Sequence, residues 1–484
     1  MINKSIWLKN IKEKTLPKLD KDIKTDILII GGGITGLSCA YFLKDSNLNI
    51  TLVDMNKIAH GSTSKTTGKI NYLQGVYDKI ESIYDKDIAE KYLESQKYAH
   101  KLIEDIIINN NIKCDYQSNS AFLFTNSSSN NLDNEINILK KLNVSFKIRD
   151  NLPINFPCKK AIKIDDSAVF HPIKYTLSLK DICLNSGINM YENTIIKNLE
   201  KTDYGYVAFS DYFKIEAKKV ILACFYPFFL KHSLFPFKTY IKKEYITASL
   251  IDNSKRFNAI NLDKDLHSIR YHTDNKSYII YVSESRKLGS NMDNNKRYTD
   301  LIWKTKINIS DDIKYKWFNY DIMTPDFMPI IGYYEKNNNN LLIGTGYNAW
   351  GMTNGTLAGK IISDLIMSYK NKYIELFSPT RSINILKILN LINYNFKTST
   401  SYVISKFKNN YSFYPKNVKV INELGIYIDD KKKEHVVYHK CPHMGCNLIF
   451  NNVDNTWDCP CHGSRFNIDG KIINGPSVYD IKVK

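Results

Sequence analysis

A chain of 484 residues, 43% hydrophobic and 12% aromatic, is long enough for two or three domains and too rich in core-forming side chains to be disordered. Its net charge of +18 comes from 67 Lys and Arg against 49 Asp and Glu. Only seven of the basic residues are Arg, the usual reader of phosphates and bases, so a solvated Lys-rich surface is expected and no nucleic-acid partner. No run of 18 apolar residues occurs, and the first twenty residues lack an apolar signal core, so a cytoplasmic protein with no transmembrane segment is expected.

Residues 1–24 read as an N-terminal extension. Asp26-Ile27-Leu28-Ile29-Ile30 is a short apolar run, as a buried parallel strand requires. It leads straight into Gly31-Gly32-Gly33-Ile34-Thr35-Gly36, where Gly31, Gly33 and Gly36 fit G-x-G-x-x-G. The first permits a tight turn, the second lets backbone N–H groups approach a pyrophosphate, and the third lets the following helix pack on the strand. A second strand, Ile50-Thr51-Leu52-Val53, ends in Asp54, placed to accept bonds from an adenosine ribose and to repel a 2′-phosphate. Strand, glycines, helix, strand and acid in this order predict a dinucleotide on the helix N-terminus.

Further along, Gly61-Ser62-Thr63-Ser64-Lys65-Thr66-Thr67-Gly68-Lys69 is a loop of small hydroxyl residues and glycines. Helical periodicity with Asn-rich turns fills residues 80–140. Alternating runs such as Tyr278-Ile279-Ile280-Tyr281-Val282 predict a sheet over 190–290. Lys219-Val220-Ile221-Leu222-Ala223 reads as another strand, and residues 341–370 as a strand followed by a helix. Residues 378–412 read as a linker with a basic amphipathic helix expected to pack on its own protein. From about residue 413 the pattern turns to short strands and Gly/Asn/Asp turns.

Four of the nine cysteines fall within 21 residues, from Cys441 to Cys461, and this clustering points to a metal site. Cys441-Pro442-His443 and Cys459-Pro460-Cys461-His462 give two loops with one Cys and one His each. That is the ligand set of a Rieske [2Fe–2S] cluster, with Cys441 and Cys459 on one iron and His443 and His462 on the other. The same residue types also build a Cys2His2 zinc site. The paired loops C-P-H-x-G-C and C-P-C-H-G-S favour the cluster.

On these segments the chain resembles two families. The region 25–370 is similar to the D-amino-acid-oxidase/glycine-oxidase (DAO) type of FAD enzymes, which oxidise C–N bonds of amines and amino acids. The resemblance rests on the glycine motif, the Ser62–Lys69 loop, Lys219–Ala223, Pro325–Gly332, and Gly344-Thr345-Gly346 with Trp350–Gly355. It implies FAD held by Gly31, Gly33, Gly36, Asp54, Ser62, Thr63, Thr67, Gly346, Gly351, Met352 and Thr353. Lys65 stands where close relatives carry a flavin-linking His, and no Cys lies between 225 and 440, so FAD is expected to be non-covalent.

The C-terminus resembles the cytochrome-bc type of Rieske protein. That resemblance implies a disulfide between Cys446 and Cys461, a proline loop at Gly475-Pro476, and a lowered potential because Phe466 replaces a sulfur-bonding Tyr. The whole order, with Phe170–Tyr175 in the middle, resembles bacterial FAD oxidoreductases carrying a C-terminal Rieske domain.

The expected architecture is an α/β Rossmann-like FAD domain with an inserted α+β substrate domain over residues 25–377. FAD-binding segments fall near 25–80, 160–230 and 320–377. A linker helix at 378–412 and a small all-β Rieske domain at 413–484 follow. The implied activity passes electrons from an amine or amino acid through FAD and cluster to an outside protein or quinone-type acceptor. Lys69, Tyr245, Tyr281 and Trp350 are candidates near the flavin ring. Two other readings remain: a redox sensor or carrier, which predicts a closed flavin face, and an enzyme acting on tRNA, which predicts a continuous Lys stripe.

Overall fold

The structure is a computed structural model that describes residues 1–228, 235–252, 256–289, 293–382 and 414–483. From residue 383 onward the expected linker helix lies outside the described residues.

The strand Ile23–Ile30 is the centre of the first sheet. Its last four side chains are buried, as the unbroken apolar run requires. It pairs in parallel with Ile50–Val53 on one side and Lys214–Leu222 on the other. The sheet continues outward to Asn189–Tyr191 at one end and to Asn338–Thr345 and Ile330–Glu335 at the other. Between the first two strands runs the helix Ile34–Leu43, which starts at Gly33 with no side-chain cap. It crosses a second uncapped helix, Gly351–Ile366. Small residues make this crossing close: a Cβ on Gly359 would lie 2.4 Å from the Cβ of Ser38, and one on Gly355 would lie 2.7 Å from Ile34. Both helix N-termini therefore open into the same space.

The second sheet has ten strands. Its middle is the antiparallel set Ile313–Met323, Tyr240–Leu250, Lys276–Lys287 and Ser268–Asp274. Glu244 pairs with Asn319 and Lys242 with Asp321, which puts these four on one face. On the opposite face, Tyr245 packs against Tyr298 of the helix Asn294–Asn308. The 80–140 region holds the expected helices, Lys86–Asn109 and Asn131–Lys141, with the strand Gln117–Thr125 between them.

Residues 1–24, expected as an extension, belong to the packed body. Ile2–Asn3 adds a strand beside Ile313–Met323. Trp7 is wholly buried, donates its indole N–H to the Thr66 carbonyl at 2.6 Å, and packs edge-on against His171 and His272. An indole of this size is stable only where its area is buried and its N–H is satisfied.

The C-terminal domain is all-β. Val418–Ile421, Leu424–Ile428 and Glu434–Tyr438 form one small sheet, and four short strands from Ile449 to Asn474 form the other. Trp457 fills the core between them, and a Cβ on Gly425 would lie 2.6 Å from its ring.

Candidate active site and metal centre

A long cavity runs along the C-terminal ends of the first sheet's strands. Gly31 and Gly33 line it at the turn, where Gly31 has φ +113°. Asp54 lines it further out and accepts from the N–H groups of Gly32 and Asn56, both at 2.8 Å. Burial pushes the Asp54 carboxyl up, and those two N–H groups oppose the shift. Gly61, Ser62, Thr63, Gly346, Gly351 and Met352 also line it, and the Thr63 hydroxyl accepts from the Ile34 N–H at 3.1 Å beside the glycine turn. The first turn of Gly351–Ile366 has no side-chain cap, so its N–H groups and dipole remain available to an anion. A long groove with bare backbone, two helix N-termini and an acid at one end fits a dinucleotide flavin.

Three residues expected at the cofactor stand elsewhere. Gly36 supports the turn from behind, where its Cβ would overlap the Gly31 carbonyl. Thr353 is wholly buried and turns its hydroxyl to the Trp350 carbonyl. The Thr67 carbonyl accepts from Arg270, and its neighbour Thr66 reaches the wall instead. None of the four candidates expected near the ring lines the cavity. Lys69 donates to Ser268, Tyr245 to Asn294 and Tyr281 pairs with His267. Trp350 is the N-cap residue of its helix. Residues not assigned to the cavity from the sequence also line it: Tyr226, Asn319, Tyr320, Asp321, Tyr347, and the stretch Asn474–Val478, which holds the expected Gly475-Pro476 loop of the C-terminal domain. Apart from that loop, nothing in their local sequence marks them, because contacts over hundreds of residues bring them here.

Among the described residues no His lines the cavity, and burial pushes the thiol of Cys224 on its wall up to about 12. A neutral thiol is a poor nucleophile. Acid precipitation is therefore expected to release the whole flavin content into the supernatant. Yellow colour kept in the pellet would contradict this.

The four cluster residues converge at the tips of two loops. Cys441 and Cys459 are buried and in hydrogen-bonding contact through their sulfurs. The N–H groups of His443 and Met444 and the Ser464 hydroxyl are directed at Cys441, and those of His462 and Cys461 at Cys459. Ser464 accepts from the Ser477 N–H at 2.9 Å, which leaves its own proton for sulfur. The rings of His443 and His462 are 5.2 Å apart, and burial pulls both down to about 4, so both are neutral. The buried Nδ1 of His462 has no protein partner. Two thiols ringed by donors beside two neutral imidazoles, one with an orphaned nitrogen, fit the Cys2His2 set of a Rieske cluster. Cys446 and Cys461 form a disulfide linking the two loops. The sulfurs of Cys446, Cys461 and Cys459 gather within 4.8 Å, but with two of them in that bond they make no separate site.

Phe466 is wholly buried and brings no hydroxyl to this shell. A hydrogen bond to a charged acceptor is worth about 1.5–3 kcal/mol, and about 1.4 kcal/mol equals 59 mV for one electron. A midpoint below respiratory Rieske centres is expected, with Phe466→Tyr raising it by on the order of 50 mV. A redox titration of both forms checks this.

The C-terminal domain is docked on the flavin body by buried charge. Asp458 accepts from Arg465 at 3.0 Å and faces Lys243 at 3.8 Å. Burial alone would raise Asp458, but Arg465 and Lys243 outweigh it and hold it below the usual carboxylate range. Lys243 and Arg465 both lie over the Phe318 ring, at 3.9 and 4.6 Å. Next to this network, the ring of His462 lies 5.2 Å from that of Tyr226. Gly463 abuts Tyr320, whose ring would lie 3.6 Å from a Cβ there. Tyr226 and Tyr320 both line the cavity.

Among known proteins, the model of the FAD dependent oxidoreductase family, DAO, matches residues 26–365, and that of the Rieske [2Fe-2S] domain matches 402–483. The chain is 28% identical over 491 residues to "Putative Rieske 2Fe-2S iron-sulfur protein YhfW" of Bacillus subtilis (strain 168), covering 98% of this chain and 96% of that one. It is 23% identical over 376 residues to gamma-glutamylputrescine oxidoreductase of Escherichia coli (strain K12), covering 72% of this chain and 85% of that one. Among solved structures, glycine oxidase from Geobacillus kaustophilus superposes with a TM-score of 0.62 at 14% identity, over 75% of this chain and all of the other.

Proposed function

Because this chain belongs to the FAD dependent oxidoreductase (DAO) family and carries a Rieske [2Fe-2S] domain behind it, we propose that it oxidises a C–N bond of a small amine or amino acid and delivers the electrons singly to an outside acceptor. The substrate R–CH2–NH2 loses two electrons and two protons to give the imine R–CH=NH, which water hydrolyses to a carbonyl compound and ammonia. When bound, FAD supplies acceptance of two electrons at once and the cluster acceptance of one at a time. The outside acceptor, a protein or quinone-type carrier, therefore takes two single electrons per substrate.

The observation that carries this reading is the contact of His462 with Tyr226, a cavity wall residue, at 5.2 Å between rings. One side chain separates a cluster ligand from the flavin cavity within the same chain. The protein's own part is to hold the cofactors, exclude water and orient the substrate. Asn319 and Asp321 place polar residues on the cavity wall, which favours turnover of a small molecule over a closed electron carrier. Among the described residues no helix is long and apolar enough to cross a membrane.

The test is anaerobic. The purified protein should show flavin bands, and after dithionite the EPR signal of a His-ligated [2Fe–2S] centre. Addition of a reactive amine, without dithionite, should bleach the flavin and bring up that same signal. Flavin bleaching with a cluster that stays oxidised would sink the relay, and zinc in place of iron would remove it.

A further inference from the structure

The cavity wall is electrostatically one-sided. Among the described residues it carries no Lys, Arg or His, although the protein has a net charge of +18. Its two carboxylates are Asp54 and Asp321.

Asp321 does not stand alone. On the same sheet face, Glu244 of the neighbouring strand is in hydrogen-bonding contact with it. Like-charged carboxylates approach this closely only around a shared proton or a bound cation. Burial and mutual repulsion push the Asp321 carboxyl well up, and burial does the same to Glu244, with Lys242 opposing both. Neither carboxylate has an ion-pair partner among the described residues. Lys242, the cross-strand partner of Asp321, stands on the same face, whereas the nearby Lys69 and Arg270 are engaged elsewhere. Lys69 donates to Ser268, and Arg270 donates to the Thr67 and Phe170 carbonyls and lies over the Trp7 ring.

A second and independent observation lies between the two acids. Asn319 is the cross-strand partner of Glu244 and shares the face of Asp321, two residues away. It is only 5% exposed and lines the cavity, and its side-chain oxygen has no hydrogen-bond partner. A buried orphan acceptor is costly unless a donor arrives to meet it. Ser285 donates to Glu244 at 3.3 Å, which still leaves the acid pair and the orphan Asn319 oxygen suited to a group rich in N–H bonds and carrying positive charge.

We propose that Asp321, Glu244 and Asn319 form a substrate subsite for a second ammonium group, so that the molecule oxidised is a diamine or polyamine and not an α-amino acid. This rests on the amine-oxidation reading above and narrows it: one amino group is oxidised while the other is held by the acid pair. A free carboxylate on the substrate meets the acid pair at this wall, whose charge Lys242 offsets only in part.

The experiment uses the holoenzyme with both cofactors, under anaerobic conditions, and follows the perturbation of the flavin spectrum during titration. The probes are butane-1,4-diamine, butylamine and 4-aminobutanoate, which differ only at the far end. The diamine should bind ~10-fold or more tighter than butylamine, and ~100-fold tighter than 4-aminobutanoate, as charge-assisted bonds at the far end predict. Asp321→Asn should cut diamine affinity by ~10-fold or more and leave butylamine within about twofold. Glu244→Gln, judged by retained flavin and cluster spectra, should act in the same direction. Equal affinity for diamine and 4-aminobutanoate, or an unchanged preference in Asp321→Asn, would overturn the subsite. So would saturable Ca2+ binding that is lost in Asp321→Asn and excludes the diamine. Flavin reduced by amino acids with no diamine binding leaves amine oxidation standing and removes the subsite. Diamine binding without flavin reduction by any amine does the reverse.

Discussion

Cys459→Ser is expected to abolish the [2Fe–2S] EPR signal while leaving flavin bound and still bleached by substrate. Cys459 is wholly enclosed at the loop tip, in contact with Cys441 and beside the N–H groups of Cys461 and His462. A hydroxyl there is a harder and less readily ionised ligand than a thiolate, so the cluster loses one of its two thiolate anchors. Loss of an outer partner costs ~10–100-fold in metal affinity or activity, and loss of a direct ligand should cost more, so turnover with one-electron acceptors should fall by at least ~100-fold. The anaerobic half-reaction of flavin with substrate should change less than about threefold, since Cys459 does not line the cavity. A variant that kept the EPR signal would refute the ligand assignment. One that lost the signal but kept full turnover would show that electrons leave by another route.

The second large effect is expected at Gly31. Its φ is +113°, and a Cβ there would lie 2.6 Å from the Ala223 carbonyl oxygen and 2.8 Å from the Cys224 nitrogen. The clash is with backbone of the adjacent parallel strand, so no side-chain rotation relieves it. Strain of this kind costs about 1–3 kcal/mol, and 1.4 kcal/mol is tenfold in affinity. Gly31→Ala should therefore weaken FAD binding by ~10–100-fold. Flavin content per chain after gel filtration reads the loss directly. The cluster signal serves as the control, because the C-terminal domain has its own core around Trp457. Full flavin retention would mean that the glycine turn is not the phosphate cradle.

Legibility in the sequence followed the range of the interactions. The span from Asp26 to Asp54 is a local unit in which each strand pairs with the next, so order and spacing alone revealed it. The Cys and His loops are equally local, and their residue types carry their chemistry with them. Thr66 and Thr67 were less separable, because the choice between them depends on Arg270, some two hundred residues away. Asn319 and Asp321 were unreadable for the same reason: their place follows from the antiparallel register with Tyr240–Leu250. Aromatic candidates such as Tyr245 and Tyr281 sit in a packed layer away from the cavity, as most aromatic stripes do. Trp7 shows the converse, a core residue in a stretch whose composition reads as an extension.

The stretch Asn474–Val478 belongs to the C-terminal domain yet forms one wall of the flavin cavity, and Asn56 reaches across to bond the Ile473 carbonyl at 3.0 Å. This gives maturation of the protein an order. The wall is carried by a domain with its own core around Trp457 and a disulfide between its two ligand loops, so it stands before iron arrives. FAD is enclosed only once that domain has folded and docked, and a chain cut short before Asn474 would leave the groove open on one side and lose its flavin.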